Sequence, residues 1–174
     1  MTNQVPNLLT VARIALAPLF AWTLFNDSIV IVPLVIFLLA ALTDLADGWW
    51  ARKYQLISDF GKIADPIADK ALTGAAWIGL SVLGEIPWIA TVLILVREVG
   101  ITVIRLMILN KRVVAADRGG KWKTTLQIVT ICVFIVGIQD YVPILTAALL
   151  WATVAMTTIT GIRYYLAMTR EVAA

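Results

Sequence analysis

Histidine does not occur anywhere in the 174 residues. Imidazole is thereby removed from every role it could play, both as a general acid or base and as a metal ligand. Cysteine occurs once, as Cys132 inside an apolar run. A lone thiol can close no intramolecular disulfide and build no Cys/His metal cluster, so it reads as a small core residue. Charge is scarce as well. Asp, Glu, Lys and Arg make up 14% of the chain, against about 25% in an ordinary soluble domain. There is no internal repeat, linker or low-complexity stretch, and Met1 to Asn7 lacks the basic start of a cleavable signal. The connections between apolar runs are too short to hold a second domain, so residues 1–174 read as a single membrane domain.

What is present in excess is apolar sequence. Hydrophobic residues are 61% of the chain and the mean hydropathy is +0.91. The excess falls into six runs: Val5 to Phe25, Ile29 to about Lys53, Gly61 to about Leu83, Trp88 to Leu109, Thr124 to Ile138, and Tyr141 to about Met168. Each is close to the ~20 residues a bilayer requires. The expected fold is therefore an all-α integral membrane protein of six transmembrane helices.

The fourteen Lys and Arg are distributed unevenly. None lies in the connections after runs one, three and five, which hold only Asp27, Glu85 and Asp140. Arg52, Lys53, Lys62, Lys111, Arg112, Arg118, Lys121, Lys123 and Arg170 all lie at the opposite ends. The positive-inside rule then places both termini in the cytoplasm. Trp22 and Trp88 fall at the outer boundary, and Trp49, Trp50 and Trp122 at the inner one, as interfacial anchors.

One stretch carries the chemistry. Residues 44–69 read D-x2-D-G-x2-A-R-x8-G-x3-D-x3-D. Asp44 and Asp47 share one face of a helix, and Asp65 and Asp69 share one face of the next. If those helices are antiparallel neighbours, four carboxylates converge and would repel one another strongly in a low dielectric. Hard divalent cations with oxygen ligands would relieve that repulsion. A pair of ions ~3.5–4 Å apart is the arrangement that drives phosphoryl chemistry. From run ends at Arg52 and Gly61, Asp47 and Asp65 lie ~8 and ~6 Å up, and Asp44 and Asp69 both ~12 Å up. The pairs match in level, within the inner leaflet.

Several neighbours have two readings. Gly48, Ala51 and Gly61 are either small residues of helix packing or openings where a ligand approaches the backbone. Arg52 is either an interfacial lipid anchor or a phosphate contact. Pro66 leaves a carbonyl without its helical partner. Arg97 and Glu98 lie within the fourth run, where charges are costly and are either paired to other helices or functional. Gly119-Gly120-Lys121-Trp122-Lys123 is either a solvated basic loop at lipid headgroups or an anion site at a helix N-terminus.

The pattern over 44–69 resembles the signature of the CDP-alcohol phosphotransferases, integral membrane enzymes of phospholipid synthesis, with all eight specified residues at the expected spacing. The resemblance implies two Mg²⁺ or Mn²⁺ ions held by Asp44, Asp47, Asp65 and Asp69. It implies that Asp69 is also the catalytic base, and that Gly48, Ala51, Arg52 and Gly61 bind CDP-diacylglycerol. An alcohol would attack the lipid-side phosphorus and CMP would leave. Less specific motifs cover nearly the whole chain: Pro6-Asn7-Leu-Leu-Thr10-x2-Arg13, R-E-x6-R over 97–105, and G-K-x-K-T-x2-Q over 120–127. They resemble the branch of the family whose acceptor is sn-glycerol 3-phosphate, with Arg105, Lys121 and Lys123 expected on its phosphate. A homodimer in the cell membrane is expected, with the site facing the cytoplasm and no nucleic-acid partner. Inositol phosphate or phosphatidylglycerol are the other acceptors of the class. Outside it stand an ion-coupled transporter, which often shows inverted repeats that are not found here, and a membrane scaffold, which needs none of the four Asp.

Overall fold

The structure is a computed structural model that describes residues 4–26, 29–54, 59–108 and 119–173, with side chains described for 11–26, 29–43, 67–68, 70–104, 122–167 and 169. All regular structure among these residues is helical. In chain order the elements are α1 (Gln4–Asn26), α2 (Ile31–Tyr54), α3 (Asp59–Val82), α4 (Trp88–Ile108), α5 (Gly119–Val136), a 3₁₀ turn (Ile138–Asp140) and α6 (Pro143–Ala173). Pro18 lies inside α1, whereas two other prolines fall where a helix tolerates them. Pro33 lies in the first turn of α2 and Pro143 opens α6, where no helical N–H is missed. Gly84 and Gly137, with φ of 83° and 80°, end helical segments in the left-handed region that a Cβ disfavours.

The chain divides into two compact units, Met1–Leu83 and Gly84–Ala174. In the first, α1 packs along both α2 and α3, and α2 and α3 meet over a shorter stretch. Phe20 of α1 stacks at a tilt on Phe37 of α2, with ring centroids 5.6 Å apart. A Cβ at Gly79 of α3 would stand 2.6 Å from Leu24 of α1, so that glycine sets a close helix approach. Each helix turns one stripe inward: Arg13, Ala17, Phe20 and Thr23 on α1; Pro33, Phe37 and Ala40 on α2; Ala68, Leu72, Ala76 and Leu80 on α3. The spacings of three and four are those of a helix face.

In the second unit α6 packs against both α4 and α5. Its contact with α5 is threaded by polar side chains. Thr130 and Thr153 share a hydroxyl–hydroxyl hydrogen bond of 2.7 Å, and Gln127 donates to Thr157 at 3.1 Å. In apolar surroundings such interhelical bonds satisfy groups that have no water to turn to. At the other end, Gln139 of the 3₁₀ turn donates to Glu85 in the turn before α4 at 2.6 Å.

Among the described side chains of both units many large apolar ones face outward: Val11, Leu19, Leu39, Val92, Val96, Ile144, Ile159 and Ile162 are all exposed, which suits a lipid exterior. Trp22, Trp88 and Trp122 are also exposed. Of the six expected spans, Pro143–Ala167 of α6 is long and apolar enough to cross a membrane by length and composition. Val11–Asn26, Ile31–Thr43 and Trp122–Val136 are shorter apolar stretches. Val11, Thr43, Trp122 and Ala167 are also where the described side chains begin or end, so these lengths are those of the described stretches.

The helix ends fall within two residues of the apolar runs at α1 to α4, but α5 does not follow its run. It starts at Gly119, five residues before Thr124. Lys121, Trp122 and Lys123 are therefore helical instead of lying in a loop. Apolarity marks where a helix meets lipid, and it does not mark where the hydrogen-bonded ladder begins.

Candidate functional site

The signature residues lie on two consecutive helices. Asp44, Asp47, Gly48, Ala51 and Arg52 are in the second half of α2, and Gly61, Asp65 and Asp69 are in the first half of α3. Their side chains lie outside the described ones, so the site is built from the backbone. On α2 the buried stripe runs Pro33, Phe37, Ala40. Continued at the same spacing it reaches Asp44, Asp47 and Ala51. On α3 the stripe of Leu72, Ala76 and Leu80, carried back toward the helix start, reaches Asp69 and Asp65. The carboxylates thus occupy the positions on which, higher in each helix, the core is built.

The levels agree as well. Asp44 is ten residues before Tyr54, and Asp69 is ten residues after Asp59, which is ~15 Å from either helix end. Asp47 and Asp65 are seven and six residues from the same ends, ~10 and ~9 Å. The connector of residues 55–58 spans at most ~19 Å between Tyr54 and Asp59 at 3.8 Å per Cα step, so those two ends cannot lie far apart. Four acidic positions at two matched levels on inward stripes are an arrangement suited to hard cations.

Two basic residues of the second unit, Arg97 and Lys123, meet one buried carboxylate. Glu98 of α4 is 5% exposed and Lys123 of α5 is 7% exposed. The Lys123 Nζ donates to Glu98 Oε1 at 2.5 Å. The same oxygen accepts from Arg97 at 2.8 Å and from Gln127 at 3.3 Å. Arg97 reaches on to Thr160 of α6 at 3.3 Å. Its stem passes over Gly161, where a Cβ would lie 2.7 Å from Arg97 Cγ. One carboxylate therefore gathers donors from two helices, and those donors carry the link to the third. The Arg97–Glu98 pair is of the kind that joins helices. Lys123, expected on an acceptor phosphate, is instead engaged by this carboxylate. Arg105 and Lys121 are placed on α4 and α5 by their backbones, with side chains outside the described ones, and Arg118 lies outside the described residues.

The polar stripe itself was missed in the sequence. Lys123, Gln127 and Thr130 stand at i, i+4 and i+7, and so do Thr153, Thr157 and Thr160. That repeated spacing inside two apolar runs is the signal that would have found it.

Fold and site together define a class: the described residues form an all-helical protein with an apolar exterior, and four acidic positions continue the buried stripes of α2 and α3. Residues 3–159 match the family described as CDP-alcohol phosphatidyltransferase, and the chain belongs to that family. Among its relatives is a protein of Mycobacterium tuberculosis named as a probable phosphatidylglycerophosphate synthase, 40% identical over 97% of this chain and 83% of its own length. Proteins named CDP-diacylglycerol–glycerol-3-phosphate 3-phosphatidyltransferase are similar too. That of Rickettsia bellii is 36% identical over 94% of both chains, and that of Bacillus subtilis 34% identical over 93% of both.

Proposed function

We propose that this chain transfers the phosphatidyl group of CDP-diacylglycerol to sn-glycerol 3-phosphate, giving phosphatidylglycerophosphate and CMP. The observation that carries the reading is the full eight-residue signature on α2 and α3, with its carboxylate positions level on the inward stripes. Family membership supports the reaction class, and the names of the relatives support the acceptor over inositol phosphate or phosphatidylglycerol. In this reading the chain crosses the cell membrane six times with both termini and the site on the cytoplasmic side.

Asp44, Asp47, Asp65 and Asp69 fit a pair of Mg²⁺ or Mn²⁺ ions. Four unit negative charges balance two dications, and all the donors are hard oxygens. When bound, such ions neutralise a pyrophosphate and stabilise a departing phosphate. The chain's own groups do the rest. Gly48, Ala51 and Gly61 keep the backbone beside the carboxylates open to the cytidine diphosphate group, and Arg52 pairs with its phosphate. Asp69 takes the proton of the attacking glycerol hydroxyl as the new oxygen–phosphorus bond forms and the bond to the CMP oxygen breaks.

Arg105 and Lys121 hold the acceptor's own phosphate, and positioning of this kind supplies much of the rate. A charge-assisted contact is worth roughly 1.5–3 kcal/mol, or about ten- to a hundred-fold. Arg105→Ala and Lys121→Ala are therefore expected to raise the KM for glycerol 3-phosphate by about that factor, with a smaller effect on CDP-diacylglycerol. Movement of the CDP-diacylglycerol KM alone would assign these cations to the donor. No movement in either would leave them as markers of topology.

A further inference from the structure

We propose that Arg13 is a positioning residue of the carboxylate site, holding the acidic side chains of Asp44 and Asp69 from the side of α1. The inference rests on the metal-site reading of those residues. Arg13 is 1% exposed, one of the largest fully buried side chains among those described, and it is not without a partner. A guanidinium cannot be neutralised by losing its proton, so burial in a membrane helix requires a nearby anion. The first unit contains six acidic residues and no glutamate: Asp27, Asp44, Asp47, Asp59, Asp65 and Asp69.

Helix register selects among them. Arg13 lies thirteen residues before the end of α1 at Asn26, Asp44 thirteen after the start of α2 at Ile31, and Asp69 thirteen before the end of α3 at Val82. These three helices are locked level by two contacts, Phe20 on Phe37 and Leu24 against Gly79. Seven residues are nearly two full turns, so one step of seven returns to the same helix face. From Phe20 that step leads down to Arg13, and from Phe37 it leads down to Asp44. Ten residues below Gly79 stands Asp69, and eleven below Leu24 stands Arg13. Arg13 also shares the buried stripe of Ala17 and Phe20, so it is carried on the face of α1 that meets α2 and α3. Asp27 and Asp59 lie beyond or at helix ends, and Asp47 and Asp65 lie about a turn further from Arg13's level.

A planar guanidinium with five donors can bind two carboxylates at once and fix how each is turned. Partners that orient metal-binding groups are worth about 10–100-fold in metal affinity. The test is thermal unfolding of the full chain in detergent across a Mg²⁺ titration, for wild type, Arg13→Gln and Arg13→Lys. Wild type is expected to gain Tm with Mg²⁺. R13Q is expected to need about 10–100-fold more Mg²⁺ for half of that gain. R13K keeps the charge without the planar fork and is expected to shift the midpoint by a smaller factor. It decides the matter if R13Q does not insert. An unchanged midpoint with Tm lowered equally at every Mg²⁺ concentration would make Arg13 a packing residue only and overturn the proposal. A lowered midpoint would make it a mere opposing charge, and a raised KM for CDP-diacylglycerol with the Mg²⁺ midpoint unmoved would make it a donor contact; either overturns the proposal. No Mg²⁺ response in wild type would instead sink the metal-site reading, and the role of Arg13 with it.

Discussion

Glu98 shows how a single residue can decide what its neighbours are able to do. Its Oε1 accepts from Arg97, Lys123 and Gln127 in a buried setting. Removing one member of such a set leaves an uncompensated charge away from water, which costs about 3–5 kcal/mol. Glu98→Gln should therefore lower the unfolding free energy in detergent by roughly that amount, because two cations lose their anion. Lys123→Met should cost less, since Arg97 and Gln127 still satisfy the carboxylate. The double variant should recover part of the loss, and denaturant midpoints for the three proteins check the order. Single-residue roles were only partly legible beforehand. The sequence marked Lys123 as a cation at an inner end, but it could not say that a carboxylate from α4 would face it. That pairing arises from packing between helices separated by a basic connection, and no local pattern records it.

At the scale of elements, spacing carries most of the information. The acidic pairs at i, i+3 and i, i+4 fell on helices as their periodicity required, and they continue the buried stripes of α2 and α3. The polar stripes of α5 and α6 obey the same rule and hold the two helices together through Thr130–Thr153 and Gln127–Thr157. The start of α5 was not legible, because Gly119 and Gly120 read as loop while the helical ladder includes them. Close approaches were also hidden, since a glycine in an apolar run looks alike whether it faces lipid or a neighbour. Gly161 faces Arg97, and a Cβ there would stand 2.9 Å from the guanidinium Nε as well as 2.7 Å from Cγ. Gly161→Ala should push Arg97 off Thr160 and Glu98 and cost about 1–3 kcal/mol, as overpacking does. Gly100→Ala has open space around its Cβ and should leave stability within ~0.5 kcal/mol or raise it, because alanine is the better helix former. Equal losses at both sites would show that Arg97 is free to move aside.

At the scale of the whole molecule, composition announced an apolar helical protein, and the exposed apolar side chains of both units agree with it. Crossing by all six helices is a reading of the apolar runs, and Pro143–Ala167 of α6 is the described stretch with the length and apolarity of a span. The charge distribution bears on orientation: a reporter fused after Ala174 is expected to read cytoplasmic, and an external signal would invert the proposed facing of the site. The central claim is that the acidic residues of α2 and α3 work as a divalent-metal site for phosphatidyl transfer. The most direct measurement is transfer of radiolabelled glycerol 3-phosphate into lipid by the detergent-solubilised protein supplied with CDP-diacylglycerol. It should be run with Mg²⁺, with Mn²⁺ and after exhaustive chelation, for wild type and for Asp44→Asn, Asp47→Asn, Asp65→Asn and Asp69→Asn. The account predicts labelled phosphatidylglycerophosphate with either metal, none after chelation, and a loss of about a hundred-fold or more in every Asn variant that still inserts, since such ions supply most of the charge stabilisation. Activity that survives chelation, or near-normal transfer in two of the four variants, would contradict it.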